Sequence, residues 1–431
     1  MTDPRQSAKY GLEALLKAGA DKAQCSLTLT DKHEMNVDSG EISLLRTTFD
    51  TRVALTAIKD NRKGQTAANR RDTESLDRAI SDVLGIAAAA QVDEAHDIAE
   101  SQPAAEFTSG SESPDLDKMH FRLNELLREV KSRFPKAVMR QAILDFTRTR
   151  NWFMNSNGVD FVSSTGVYHA VVMFSSREGD KTSSFNYVAL SLSDLDKDLL
   201  SCGSLAELLR QSSEQIETRP IEGKFVGDVI YTPECIDDLL VFLAYSVSDG
   251  PMISGTSIYK ESLGTQVASP LLTIHARPTS PELAEKQFVT TDGYAAKDAT
   301  LLDKGVLKSY LLSLYGSRKT GKARALNNGD GIVVDAGDTP FSEMVKGVKK
   351  GLLMARFSGG RPSNSGDFAG VAKNSYLIED GEIKYPVSEV MVSGNFAEML
   401  RNVKAVSRER VNFGHAISPW VAVSGVTISG K

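Results

Sequence analysis

The residues able to do chemistry by type are six histidines, three cysteines and two short motifs containing a serine or a lysine. A zinc peptidase helix usually sets two histidines at i and i+4, with a glutamate between them as general base. His33, His96, His120, His169, His275 and His415 are too far apart to share a helical turn. His33-Glu34 begins such a pair, but Val37 stands at i+4 and the run alternates like a strand. Spacing therefore supports six unrelated surface or core histidines. A metal site built from dispersed histidines is invisible to spacing.

Residues 316–323 (GSRKTGKA) fall one residue short of a P-loop. Ala323 stands where a hydroxyl should hold Mg²⁺, and the central residues include two cations. The chain beyond is rich in Gly and Asn, with no helix to aim its N-terminus at a phosphate. A flexible basic loop is the simpler reading. Ser257-Ile258-Tyr259-Lys260 fits S-x-x-K and Lys319-Thr320-Gly321 fits K-T-G. The S-D-N triplet of penicillin-recognising enzymes does not lie between them, and no G-x-S-x-G elbow occurs. A hydrolase using Ser257 and Lys260 stands as one function class, with chance matching as its rival. Trp152 and Trp420 read as core residues.

The most informative stretch is residues 366–395, GDFAGVAKNSYLIEDGEIKYPVSEVMVSGN. It reads as a loop, a strand over 375–378, an Asp380-Gly381 turn and a strand over 387–392 that ends in Ser393-Gly394-Asn395. Glycines at 366, 370, 381 and 394 permit positive φ or close backbone approach. A Gly-lined strand edge could accept an extended peptide. A plain hairpin is the alternative.

These segments must be held by a larger frame. Residues 5–18 have helical apolar spacing, and alternating runs follow at 23–30, 33–37, 42–49 and 52–59. Residues 75–91 return to helical period. The Ser/Pro/Glu-rich stretch 99–115 reads as a linker or long exposed loop. The order then recurs: a helix over 116–134, alternating runs at 138–147, 159–164, 168–174 and 184–192, and a helix over 205–216. Repeated helix–meander–helix order points to a duplicated unit with helices layered on sheet. From 221 the texture becomes Gly-rich and β-branched, with strands expected at 225–231, 287–291, 331–334, 375–378, 387–392 and 421–428. Helices are expected at 236–246, 342–354 and 396–403. The fold class is α+β: an N-terminal α+β domain over 1–220 and a β-rich C-terminal domain over 221–431.

With 431 residues, 41% of them hydrophobic, the chain can build a real core. Its net charge is −6 and it has no basic stripe, which argues against nucleic-acid binding. Cys25, Cys202 and Cys235 are too few and too scattered for a disulfide framework. The start MTDPRQSAKYGLEALLKAG lacks a signal-peptide core, and no run approaches the roughly 18 apolar residues of a membrane helix. A cytoplasmic protein with no membrane contact is expected.

The 366–395 stretch resembles the C-terminal signature of the PmbA/TldD family, peptidases also called modulators of DNA gyrase. The matching residues are Gly366-Asp367-Phe368, Leu377–Ile383, Pro386-Val387 and Ser393–Asn395. Residues 320–324 (TGKAR) resemble the family's Thr-Gly-Asn-Ala-Arg loop. Asn155–Gly158, Asp38–Glu41 and Arg62–Thr66 also follow its pattern. The family has two subunit types. One carries a His-Glu-x-x-x-His helix and a C-terminal Cys that hold zinc; the other, PmbA- or TldE-like, lacks them and pairs with the first. Here the corresponding residues 235–243 read CIDDLLVFL, without His or Glu, and 412–420 has no Cys. The resemblance therefore implies a TldE-like subunit of a heteromeric metallopeptidase acting on unfolded peptides. It implies no catalytic residue and no cofactor in this chain, with zinc in a TldD-like partner. Gly366, Asp367, Gly394 and Asn395 are the expected contacts for peptide or partner. The alternative is a homodimer that binds peptides without cutting them.

Overall fold

The computed structural model describes residues 3–38, 40–359, 362–388 and 390–430. Ser39, within the Asp38–Glu41 turn, and the side chain of Asp238, within 235–243, lie outside the described residues.

The N-terminal part opens with α1 (Pro4–Lys17), β1 (Lys22–Asp38), β2 (Glu41–Lys59), β3 (Arg62–Ala68) and α2 (Thr73–Ala89). After β4 (Ala105–Ser109) the pattern repeats in α3 (Leu116–Arg133), β5 (Ala137–Asn155), β6 (Asp160–Glu178), the short β7 (Lys181–Thr182), β8 (Asn186–Leu192) and α4 (Leu205–Glu214). Asp3, Asp72 and Asp115 cap α1, α2 and α3, each carboxylate accepting from a backbone N–H of the first turn. One sheet runs β3-β2-β1-β5-β6, with β4 and β8 both on the far edge of β6. The two units thus meet through the antiparallel β1–β5 pair, in which Asp31 faces Arg148.

Period-2 alternation gives this sheet two unlike faces. Cys25, Leu27, Met35 and Val37 of β1 point to the helix side. The first two join a core with α1 and α2; the last two join one with α3 and α4. The opposite face carries Ser26, Thr28, Thr30, Lys32 and Glu34 of β1, and in register with them Asn151, Thr149, Thr147 and Asp145 of β5. No N-terminal helix covers it. Near β6 the C-terminal part leans on it, where Phe153 and Phe161 pack with Tyr294.

Several expected boundaries differ. The runs 23–30 and 33–37 are one strand, as are 42–49 and 52–59. Charge in mid-strand hid the continuity: Lys32 on one face pairs with Glu34 and Asp145, and Asp31 on the other pairs with Arg150. Residues 100–115 are exposed or half-exposed, as a surface loop would be, but the segment is anchored at Ala99 and carries a short strand. Ala99 is fully buried and its carbonyl accepts from Asn155 and Asn157. β4 then runs parallel to β6, and Gly110 and Gly166 let the two backbones touch: a Cβ on Gly166 would sit 1.9 Å from the Ser111 carbonyl oxygen.

The C-terminal part holds β9 (Lys224–Tyr231), α5 (Pro233–Ser246), α6 (Asp249–Ile253), β10 (Ile274–Ala276), β11 (Ala299–Asp303), β12 (Val306–Leu307), α7 (Leu314–Thr320) and β13 (Ile332–Val334). It continues with α8 (Phe341–Lys346), β14 (Lys350–Met354), β15 (Arg356–Gly359), β16 (Asp367–Lys373), β17 (Tyr376–Glu379), β18 (Glu382–Pro386), β19 (Val390–Asn395), α9 (Phe396–Arg401), β20 (Val403–Asn412) and β21 (Ile417–Ser429). They form one large sheet around β21, which pairs with β9, β13, β19 and β20. α5 packs on it through Ile236, Leu239 and Leu240. The Asp380-Gly381 turn forms as expected, with φ of 50° and 79°. The helix expected over 342–354 stops at Lys346, and Leu352–Met354 enter β14 between β9 and β17. A short apolar run buried on both sides has no period to separate strand from helix. Residues 287–291 form no strand, only a bridge between Val289 and Ala295. The fold is α+β, and no helix among the described residues is long and apolar enough to cross a membrane.

Candidate functional site

The four residues expected to contact peptide or partner come together. Asp367 faces Asn395 across the β16–β19 pair, and Phe368 faces Gly394. The Asn395 amide donates to Asp367 Oδ1 and to the Ser365 carbonyl, both at 2.9 Å. Its oxygen accepts from the backbone N–H groups of Ala397 and Glu398, capping α9. Gly366 holds φ of +91° and its carbonyl accepts from Phe396 N–H. Asn395 and Ser365 hold the Asp367 carboxyl below its usual range. These groups are knotted to one another at an exposed corner of the sheet.

The other sequence candidates part company. Ser257 Oγ accepts from Tyr259 N–H, while Lys260 Nζ donates to the Gly255 carbonyl. No nucleophile–base contact joins them. The basic 316–324 run is a clasp: Arg318 bonds Asp97, Lys319 bonds Asp93 at 3.0 Å, and Arg324 grips Asp292 at 2.8 Å beneath Tyr294. Residues 316–320, expected as flexible loop, lie inside α7, which ends at Gly321 in the left-handed region. A P-loop needs its helix to follow, so this geometry cannot cradle a phosphate.

A larger constellation crosses the open face of the N-terminal sheet. Arg46, Glu34, Asp145, His169 and Ser191 occupy one register row over five adjacent strands, β2, β1, β5, β6 and β8. Arg46 reaches Glu34 at 2.7 Å. Lys32, one pleat away, bridges Glu34 at 3.0 Å and Asp145 at 3.1 Å. His169 Nδ1 meets Asp145 at 3.1 Å and its Nε2 meets Glu285 of the C-terminal part at 3.4 Å. Ser191 also donates to Glu285. Burial lowers the His169 pKa, but bonds to Asp145 and Glu285 more than offset it and raise it to about 9. The same imidazolium pulls Glu285 down to about 2. Sequence reasoning missed this row, whose only trace is charge at mid-strand inside alternating runs.

The linkage has a definite sign. His169 is raised above its unfolded value of about 6.5, so its contribution is complete below that pH and fades as pH rises through about 9. Glu285 is depressed, so its contribution is present above about 4.3 and fades as pH falls through about 2. His169→Gln is expected to lose about 1 kcal/mol, a size suited to a partly exposed pair. The deficit should be greatest near pH 5–6 and should narrow toward alkaline pH in urea unfolding curves. A deficit independent of pH would contradict the pairing.

Among the cavities at the seam between the two parts, two border both α4 and the start of α5. One, of about 170 Å³, lies between Asn186–Ala189 of β8, Arg356 and the start of α5, with His415 on its wall. Burial holds the His415 pKa below the usual value. The other, of about 700 Å³, lies between α4, α8, β17 and β18. Leu208 and Glu234 border both. Burial pushes the Glu234 carboxyl up, with Ser204 and Thr232 countering in part.

The fit to a metal can be judged on the donors present. α5 turns Glu234 and Asp237 toward the smaller cavity, and Asp237 is already bonded by Ser418. Among the described residues, no group of three His, Cys, Asp or Glu side chains is placed to hold a metal. The described donors around the smaller cavity, Glu234, Asp237 and His415, do not assemble a three-ligand zinc set.

Against known proteins, a family model for the PmbA/TldA metallopeptidase C-terminal domain matches residues 223–430. Metalloprotease PmbA of Escherichia coli O157:H7 is 25% identical over 442 residues, spanning 95% of this chain and 94% of that protein. A Metalloprotease PmbA homolog of Haemophilus influenzae is 23% identical over 454 residues, spanning 98% and 96%. The crystal structure of TldE from Thermococcus kodakarensis superposes with a TM-score of 0.84 over 99% of both chains, at 19% identity. At that identity the likeness is one of fold.

Proposed function

Because the chain belongs to the PmbA/TldD family, we propose that it is the TldE-type subunit of a two-subunit metallopeptidase acting on unfolded peptides in the cytoplasm. The observation that carries this reading is the α5 donor set, Glu234 and Asp237 without histidine, beside a seam cavity. The full-length likeness to a TldE fold supports it. Under this reading a TldD-like partner supplies the zinc, the activated water and the general base. This chain supplies wall and assembly surface. The knot of Gly366, Asp367, Gly394 and Asn395 would then meet partner or peptide through its shape, since its polar atoms bond one another.

The test is metal analysis followed by reconstitution. The untagged chain alone should hold near-zero zinc and cleave no peptide, and peptidase activity should arise on mixing with a zinc-loaded TldD-like protein. Stoichiometric zinc in the chain alone would sink the proposal. So would metal-independent turnover lost in Ser257→Ala. Peptide affinity with no turnover under any addition would instead support the homodimeric binding protein.

A further inference from the structure

The larger seam cavity has chemistry that subunit pairing does not use. Two of its buried acceptors have no donor: Glu234 Oε1 and Gln211 Oε1. Gln211 is 5% exposed, and its amide nitrogen donates to Glu207 at 2.8 Å, which fixes its oxygen as the free end. The cations on the same wall are already engaged. Arg210 is held by Glu207 and Glu214, and Lys384 by Glu382 at 2.6 Å. Tyr376 donates to Glu214 at 2.8 Å. The cations of the wall are thus all spent, and among the described residues its one unpaired buried donor is the Ser204 hydroxyl. The wall is also aromatic: Trp420 and Phe341 pack at 5.3 Å between ring centroids, and Tyr385 already carries the Arg219 guanidinium at 5.3 Å.

Unpaired acceptors among aromatic faces are the complement of a cation on an apolar stem. Ring quadrupoles attract the charge, the carboxylate and amide oxygens accept its N–H groups, and the stem covers Leu353 and Ile383. We propose that the cavity between α4, α8, β17 and β18 binds an alkylammonium or alkylguanidinium group, as carried by a Lys or Arg side chain of an extended peptide or by a free polyamine. A ligand amine would give the Glu234 carboxylate a charged partner beyond the nearby hydroxyls of Ser204 and Thr232. Water could satisfy the two oxygens, but it would leave the aromatic walls wet, which is the weaker use of that surface.

Trp420 reports on the cavity directly. In a full-length Trp152→Phe background it is the sole tryptophan. Titration with n-butylammonium and n-butylguanidinium should change its fluorescence saturably, and n-butanol, of like size without charge, should bind at least tenfold more weakly. Glu234→Gln and Gln211→Met should each weaken the cations severalfold, with thermal melts checking that the variants fold. A pentapeptide with central Lys binding more tightly than both butylammonium and its Gln analogue would support a peptide side chain; spermidine binding more tightly would support a polyamine. No saturable change with either cation, or equal binding of butanol, would overturn the proposal, and both comparisons need only the reporter protein. Full binding in both Glu234→Gln and Gln211→Met would overturn it too. The assay needs no partner subunit, so its failure leaves the pairing proposal standing.

Discussion

Lys32→Met is expected to lower the free energy of unfolding by about 3 kcal/mol, the lower end for removing one partner from buried charges. Lys32 is the shared cation of two carboxylates whose side chains are only 6% and 8% exposed. Glu34 keeps Arg46, and Asp145 keeps His169 and Thr147. Each nonetheless loses an ionic bond at a carboxylate that is itself nearly buried. Asp145 is depressed in the native protein: burial raises its pKa, and His169, Thr147 and Lys32 together more than reverse that. Its contribution is therefore present at neutral pH and lost as pH falls through the carboxylate range. The deficit in Lys32→Met should shrink in acid as Asp145 takes up a proton. Arg46→Met is the control. Arg46 is 54% exposed, so the loss should stay under about 1 kcal/mol. Equal effects in urea unfolding would mean that the row is an ornament of the surface.

Gly166→Ala is expected to cost more, above about 4 kcal/mol or the fold of the N-terminal sheet. Its Cβ would lie 1.9 Å from the Ser111 carbonyl oxygen and 2.9 Å from the Phe146 ring. Phe146 is itself core, and Ser111 belongs to backbone held on β6. Neither neighbour can retreat as a flexible side-chain tip would. Denaturant unfolding measures the loss, and limited proteolysis locates it. Cleavage confined to 99–115 would place the damage in that segment, and general cleavage would place it in the whole sheet. Native-like stability would disprove the close approach.

The sequence made the helices and the fold class legible, because 5–18, 75–91 and 116–134 carry both a 3.6-residue period and Asp caps. The duplicated order was legible for the same reason. Strand lengths were not: Asp31-Lys32 looks like a break, yet both charges are paired within the sheet. In the 99–115 segment composition matched the exposure but hid the anchoring, which rests on Asn155, Asn157 and Gly166, all distant in sequence. Of the candidate site, the Gly366–Asn395 knot was legible because a motif lies within one stretch of chain. The charged row and the seam cavities were not. Glu34, Asp145 and His169 converge only through register, Glu285 reaches them from the C-terminal part, and no linear spacing encodes which residue a strand will face.

The hydroxyl-rich face of the N-terminal sheet has a consequence of its own. Ser26, Thr28, Thr30, Thr147 and Thr149 stand half-buried there, away from the helices. A polypeptide laid across them exchanges its hydrogen bonds to water for hydrogen bonds to hydroxyls at little net gain. Under the proposed role, a peptide resting on these hydroxyls would be held weakly by them, and discrimination between side chains would fall to the charged row on the same face.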